Sequence, residues 1–215
     1  MQLEKEFNKM IESVEKYGGF YIGRYETGNL SQDQAVVQKG NTNISNQTWY
    51  TMYKKCKTLS NNNNNVVTGM AWGNQFDRTL MWLIESGAKT KEEISSNSTS
   101  WANYGNATFE YTNSSGSVVT KNSGSYVRIP AGSTDYTKAN NIYDLAGNVY
   151  DWTMEASSSN YRVYRGGYYT SNSNTARNRY NGNPPKQRLW LQGSTLHKVA
   201  LSPDGNAPAT FEPEA

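Results

Sequence analysis

Asp144 and Asp151 are the residues whose type and spacing point most directly to chemistry in this chain. They bracket a turn built on Ala146-Gly147-Asn148, so two carboxylates and the carbonyls between them can converge on a hard cation. Calcium suits such a set, since it takes oxygen ligands in flexible geometry. The plainer alternative makes Asp144 a turn residue and Asp151 a solvated strand position, and the spacing matches no EF-hand-like pattern. Other chemistries are thinly supplied. A single cysteine, Cys56, excludes an internal disulfide and a multi-cysteine zinc site. A single histidine, His197, cannot form a facial triad for iron, and no nucleophilic triad can be assembled without another. Glu26, Asp77 and Glu85 have the type for acid–base work, yet nothing in the sequence pairs them.

The elements that must position these groups follow from periodicity. Leu3, Phe7, Met10, Ile11 and Val14 recur at helical spacing, which predicts an amphipathic helix stopped by Gly18-Gly19. Phe20 to Tyr25 reads as a strand and Glu26 to Asn43 as a polar connection. Trp49, Met52, Tyr53 and Cys56 share one face of a second helix capped by Ser45 or Asn46. That stripe makes Cys56 a small core residue rather than a nucleophile. Asn61 to Asn65 is a low-complexity run that ends this helix as a loop. Trp72, Phe76, Leu80 and Leu83 mark a third helix closing at Gly87. From Lys89 to Lys138 the pattern dissolves into Ser, Asn, Gly and Thr, too long for an ordinary connection. Trp101 should pin that stretch to the core, and Tyr126 to Pro130 reads as a short strand within it. Past the Asp144 turn, the alternation of Val149, Tyr150, Asp151 and Trp152 predicts a strand with its two aromatics facing inward. Tyr161 to Thr170 follows as another strand, with Gly166-Gly167 allowing a bulge or a close backbone approach.

Asn141-Ile142-Tyr143-Asp144-Leu145-Ala146-Gly147-Asn148-Val149-Tyr150-Asp151-Trp152, followed by Arg165-Gly166-Gly167, resembles the formylglycine-generating-enzyme-like (sulfatase-modifying factor) domain. Its signature runs roughly Gly-Leu-Tyr-Asp-Met-x-Gly-Asn-Val-Trp-Glu-Trp, then Arg-Gly-Gly-Ser. Gly18 to Glu26 is similar to the Tyr-Glu segment of that family, and the resemblance extends to about Tyr180. It implies an α+β fold of the irregular C-type-lectin-like kind, with two or three helices, short antiparallel strands and long loops. It also implies a structural calcium held by the Asp144 and Asp151 side chains and by the Gly147 and Val149 carbonyls. The enzymes of the family oxidise cysteine with a copper on two cysteines, and a related branch holds iron with histidines. Neither ligand set stands in this sequence, so no copper or iron is expected and the enzymatic case is weak.

At 215 residues the chain fits one domain, placed at residues 1–185 with its first segment missing relative to the family. Residues 186–215 depart in character and read as an atypical, disordered tail, either genuine or produced by a reading-frame change. Charged residues make up 18% against about 25% in ordinary globular chains, and the net charge of +3 is not concentrated. That argues against a nucleic-acid partner. No apolar run approaches the roughly 20 residues of a membrane span, and no signal peptide stands at the start, so a cytoplasmic or virion-associated location is expected.

Tyr168, Tyr169, Asn172, Asn174, Arg177, Asn178, Arg179 and Tyr180 have the composition of adaptable recognition surfaces, where rigid Tyr supplies area and Asn supplies hydrogen bonds. The leading expectation is a non-enzymatic module for a glycan or protein ligand. Within the resembled fold it corresponds to bacterial or prophage surface recognition. Three alternatives stay open: a divergent enzyme of the family, a degenerate reading frame, and an ordinary polar loop.

Overall fold

The computed structural model describes residues 2–29, 34–44, 46–59, 66–172, 174–181, 192–193 and 196–200. In chain order the elements are α1 (Gln2–Tyr17), β1 (Thr27–Asn29), β2 (Ala35–Val37), α2 (Trp49–Cys56), β3 (Val66–Met70), α3 (Gly73–Glu85) and α4 (Lys91–Ser95). There follow β4 (Phe109–Thr112), β5 (Val118–Lys121), β6 (Lys138–Ala139), β7 (Ile142–Tyr143), β8 (Tyr150–Ser158), β9 (Tyr161–Arg165), β10 (Arg179–Asn181), β11 (Gln192–Gly193) and β12 (Leu196–Ala200). The result is the mixed α+β architecture that the resemblance implies. Among the described residues no helix is long and apolar enough to cross a membrane.

Helical periodicity finds its elements where expected. α1 ends at Gly18, whose φ of 77° suits glycine and whose N–H donates to Val14 O at 2.9 Å. Phe7 meets Trp72 edge-on at 5.0 Å, and Glu6 accepts from Tyr53 Oη and Lys57 Nζ, which fastens α1 to α2. The cap of α2 is Thr48 rather than Ser45 or Asn46: its Oγ1 accepts from Thr51 N at 3.1 Å, while Asn46 lies upstream with φ 56°. Phe76, Leu80 and Leu83 of α3 are fully buried, each worth roughly 1.5–3 kcal/mol. Trp72 sits just before this helix, its N–H received by the Gln75 side chain at 3.0 Å.

Two predicted strands are absent. Phe20 to Tyr25 is irregular, and its backbone is met at one point by Tyr143, whose N–H donates to Arg24 O at 2.8 Å and whose ring stacks on Tyr25 at 5.2 Å. Tyr126 to Pro130 is irregular because asparagine side chains take the place of a partner strand. Asn103 Nδ2 donates to Val127 O at 2.9 Å, and Ile129 N donates to Asn148 Oδ1 at 3.0 Å. Buried backbone groups are satisfied either way. The polar stretch after Lys89 instead contains α4 and the β4–β5 hairpin, with Trp101 buried between them and the core as predicted.

The principal sheet has the order β10-β9-β8-β11. Asp151 pairs with Arg165 and Trp152 with Tyr164 across β8 and β9, while Arg179 pairs with Arg165 and Tyr180 with Tyr164 across β9 and β10. One apolar cluster joins α3 and Ile94 of α4 to Trp101, Tyr104, Ile142 and Leu145. A second joins α2 and β3 to Trp152 and Met154 of β8. Beyond Pro185, Gln192–Gly193 pairs in parallel with Tyr150–Asp151, and Leu196–Ala200 pairs antiparallel with Val66–Met70. The expected Asn61 to Asn65 loop and most of the expected tail, with all of 201–215, lie outside the described residues.

Candidate functional site

The predicted metal residues lie in a buried polar hub. Asp144 is fully buried with φ 60°, and its oxygens each receive a donor: Gly132 N to Oδ2 at 2.7 Å and Thr137 Oγ1 to Oδ1 at 2.6 Å. Asp151 is also buried, so the solvated alternative for it does not hold. Strand alternation sends it away from Tyr150 and Trp152, toward the side where Gly166 passes. Gly147 carries a positive φ of 79° and runs so close to the Asn103 backbone that a Cβ there would collide with it. Val149 donates its N–H to Glu26 Oε1 at 3.3 Å.

Glu26 and Asn148 complete the hub, and neither stands out in the sequence as a partner of the aspartates. Asn148 Nδ2 donates to Glu26 Oε2 at 2.6 Å, and its Oδ1 accepts from Asn103 Nδ2 at 2.9 Å and from Ile129 N. Asn43 Nδ2 donates to the same Glu26 oxygen. Burial pushes the Glu26 carboxyl well above its usual value, and the charges of Asp144 and Asp151 add to this. Burial likewise raises Asp144 to about 6 against the opposing bonds from Gly132 and Thr137. Asp77 and Glu85 stay outside this cluster. Asp77 pairs with Arg165, and Glu85 accepts from Arg78 at 2.8 Å.

Glu26 lies within electrostatic reach of both Asp144 and Asp151, so the hub gathers three buried carboxylates, the hard oxygen type that calcium takes. The nearest guanidinium by register, Arg165, is committed to Asp77 and Glu155. Among the described residues no three His, Cys, Asp or Glu side chains are arranged to hold one metal. The calcium that the resemblance implies would be held by Asp144, Asp151 and the Gly147 and Val149 carbonyls.

The other face of the sheet is aromatic. Tyr150 lies 4.6 Å from Tyr164, 4.5 Å from Tyr168 and 5.0 Å from Tyr180, and Tyr164 stacks on Tyr180 at 5.2 Å. Tyr169 meets Tyr168 edge-on at 5.8 Å. All five rings are half-buried. Burial among neighbouring phenols pushes the Tyr150 hydroxyl far above its usual range. Beneath them Trp152 is sealed in the core.

Of the predicted recognition residues, the structure joins Tyr168, Tyr169 and Tyr180 directly. Asn174 and Asn178 support them, both donating Nδ2 to Tyr180 Oη. Thr175 in turn holds both amides, donating its N–H to Asn174 Oδ1 at 3.1 Å and its hydroxyl to Asn178 Oδ1 at 2.9 Å. Arg179 turns the other way, onto Glu155. Arg177 is exposed with its N–H on Ile94 O at 3.3 Å, and Asn172 is exposed in the loop after Tyr168. Tyr150 and Tyr164 belong to the cluster too; their alternation with Asp151 and Arg165 was the available signal.

Residues 85–193, half of the chain, match the family described as the sulfatase-modifying factor enzyme 1-like domain. The chain belongs to that family. Among solved structures it is similar to Treponema denticola variable protein 1, at 16% identity and a TM-score of 0.49, covering 87% of this chain and 80% of that one. No curated protein matches. In this sulfatase-modifying-factor-like domain the single thiol, Cys56, is fully buried in the cluster under α2. The side chain of His197 lies outside the described residues, though its backbone pairs with Gly69.

Proposed function

We propose that this sulfatase-modifying-factor-like domain is a non-enzymatic ligand-recognition module of a bacterial or prophage surface, with Tyr150, Tyr164, Tyr168 and Tyr180 as its contact face. The observation that carries the proposal is the convergence of these half-buried rings on one sheet face, held from the side by Asn174 and Asn178. Rigid aromatics held in place lose little entropy on binding, which is how such faces concentrate affinity. The hub behind them is its support, with calcium as the proposed counter-charge for Asp144 and Asp151. The test is adsorption of the labelled chain to panels of bacterial and host cells. Binding that disappears in Tyr168→Ala/Tyr169→Ala at unchanged melting temperature supports recognition, and binding indifferent to both substitutions overturns it.

Family membership itself favours a second reading, a divergent enzyme. Incubation with copper, oxygen and a cysteine peptide, read by mass spectrometry, separates the two. No aldehyde is expected, because soft copper needs paired thiolates and these 215 residues hold one. Aldehyde formed by a Cys56→Ala protein would overturn recognition as the primary role.

A further inference from the structure

β10 is three residues long, so cross-strand side-chain pairs decide how firmly it lies on β9. On the aromatic face Tyr180 stands opposite Tyr164 and stacks on it at 5.2 Å. On the other face Arg179 stands opposite Arg165, and like charges in directly opposed positions push two strands apart. Arg165 is buried, with Asp151 opposite it on β8, and Arg179 is exposed.

Glu155 answers both guanidiniums at once. Its Oε1 accepts from Arg179 Nε, and its Oε2 lies 3.5 Å from Arg165 Nη1, while Asp77 pairs with Arg165 Nη2. What lies on the far side of Glu155 holds it there. Gly73 opens α3, and a Cβ at that position would lie 2.6 Å from Glu155 Oε2 and 2.8 Å from its Cδ. Glycine thus leaves the carboxylate room against the first turn of a 13-residue helix, whose N-terminal dipole favours a negative charge. Contacts run from Gly73 through Glu155 to Arg179, the residue before Tyr180. Tyr180 in turn is where the aromatic face meets its amide support: its ring touches Tyr150 and Tyr164, and its hydroxyl receives Asn174 and Asn178.

We infer that Glu155, on the side of the sheet away from the tyrosines, is a positioning residue of the recognition face: its carboxylate turns the Arg165–Arg179 opposition into a closed ion cluster and so fixes the strand that carries Tyr180. This rests on the recognition role proposed above. Glu155 touches no ligand in this scheme and acts through Arg179 and the register of β10.

The experiment is nitration of the folded chain with tetranitromethane, read tyrosine by tyrosine by peptide mass spectrometry, with cell adsorption run in parallel. Glu155→Gln should speed nitration of Tyr180 severalfold and leave Tyr143, which stacks on Tyr25 outside this sheet, at the wild-type rate. Adding Arg179→Gln removes the opposed charge, so protection of Tyr180 should return in the double variant, a rescue that lost packing at position 155 would not give. Gly73→Ala keeps every charge and displaces the carboxylate, so it should open Tyr180 in the same direction, more weakly. Adsorption should follow protection across the three variants. Wild-type nitration of Tyr180 in Glu155→Gln, or a double variant as open as the single one, overturns the positioning role. If Glu155→Gln does not fold, Gly73→Ala decides, and an unchanged rate at Tyr180 overturns the role. Adsorption indifferent to an opened Tyr180 overturns it as well. A wild-type chain that adsorbs to nothing overturns recognition, while the nitration rates still decide whether Glu155 holds the strand.

Discussion

The two faces of β8 put opposite kinds of residue to opposite uses. Toward the interior, Asp151 lies with Glu26, Asp144, Asn103 and Asn148 in a sealed polar hub, where Asp144, Glu26 and Asn148 are hydrogen-bonded while Asn103 Oδ1 and Asn43 Oδ1 have no hydrogen-bond partner among the described residues. On the other face, Tyr150 joins Tyr164, Tyr168 and Tyr180 in a cluster that is neither sealed nor charged. Carboxylates ordinarily attract attention as the working groups of a site. In the function proposed above they are architecture, and the half-buried phenols are the surface offered to a partner.

That contrast breaks first, and hardest, at Asn148. Its amide serves Glu26, Asn103 and Ile129, and its backbone sits at φ 56°. Asn148→Ala leaves several buried polar groups unpaired and places a Cβ-only residue in a left-handed conformation. A loss of about 3 kcal/mol or more is expected by urea denaturation. Tyr168→Ala should cost under about 1 kcal/mol, since its ring is already half-exposed. Equal losses at the two positions would dissolve the distinction between support and face.

Calcium sharpens the comparison from the hub side. A cation bound only by the folded chain stabilises it by about 2.7 kcal/mol at one hundred times its dissociation constant. Melting temperature should therefore rise with calcium, fall with EDTA, and respond less in Asp151→Asn. Isothermal titration of metal-stripped, folded protein that detects no uptake at millimolar calcium would leave the hub to its hydrogen bonds alone.

The smallest effect concerns α1. Burial works to raise the Glu6 carboxyl, and the bonds from Lys57, Tyr53 and Gln2 outweigh it, leaving that group below its ordinary value. A carboxyl depressed in the folded state contributes stability above its unfolded value of 4.5, lost as the pH falls through the folded value. Glu6→Gln should flatten that acid limb and cost about 0.5–1 kcal/mol near neutrality, the usual scale for a partly exposed pair. An acid limb unchanged in the variant would assign it to other groups.

What the sequence disclosed divides along the same line. α1, α2 and α3 were legible because apolar spacing records a buried helix face directly. So was the turn at Gly147, where a positive φ and a close Asn103 backbone both favour glycine. The strands expected over Phe20 to Tyr25 and Tyr126 to Pro130 were not real, because their backbone groups are met by a distant tyrosine amide and by asparagine side chains. Local pattern carries no trace of such partners. Glu26 meets Asn148 across 122 residues of sequence, so the hub could be inferred only as far as its two local aspartates. The aromatic face was half visible: composition marked Tyr168 to Tyr180, but Tyr150 and Tyr164 enter it through strand pairing.

Tyr180 is also a hydrogen-bonding group. Its oxygen accepts from two amides, Asn174 and Asn178, so the lone pairs are occupied and the phenolic proton has no place among those donors. It is left for an acceptor beyond them. Accepting two bonds polarises the O–H and strengthens the one it gives. The three side chains thus make a one-way relay, with Thr175 orienting the amides, the amides orienting the phenol and the phenol presenting a hydrogen. A partner's oxygen would complete the relay where a partner's N–H would meet only occupied lone pairs, so Tyr180→Phe, which also frees the Asn174 and Asn178 amides, should cost an acceptor ligand affinity.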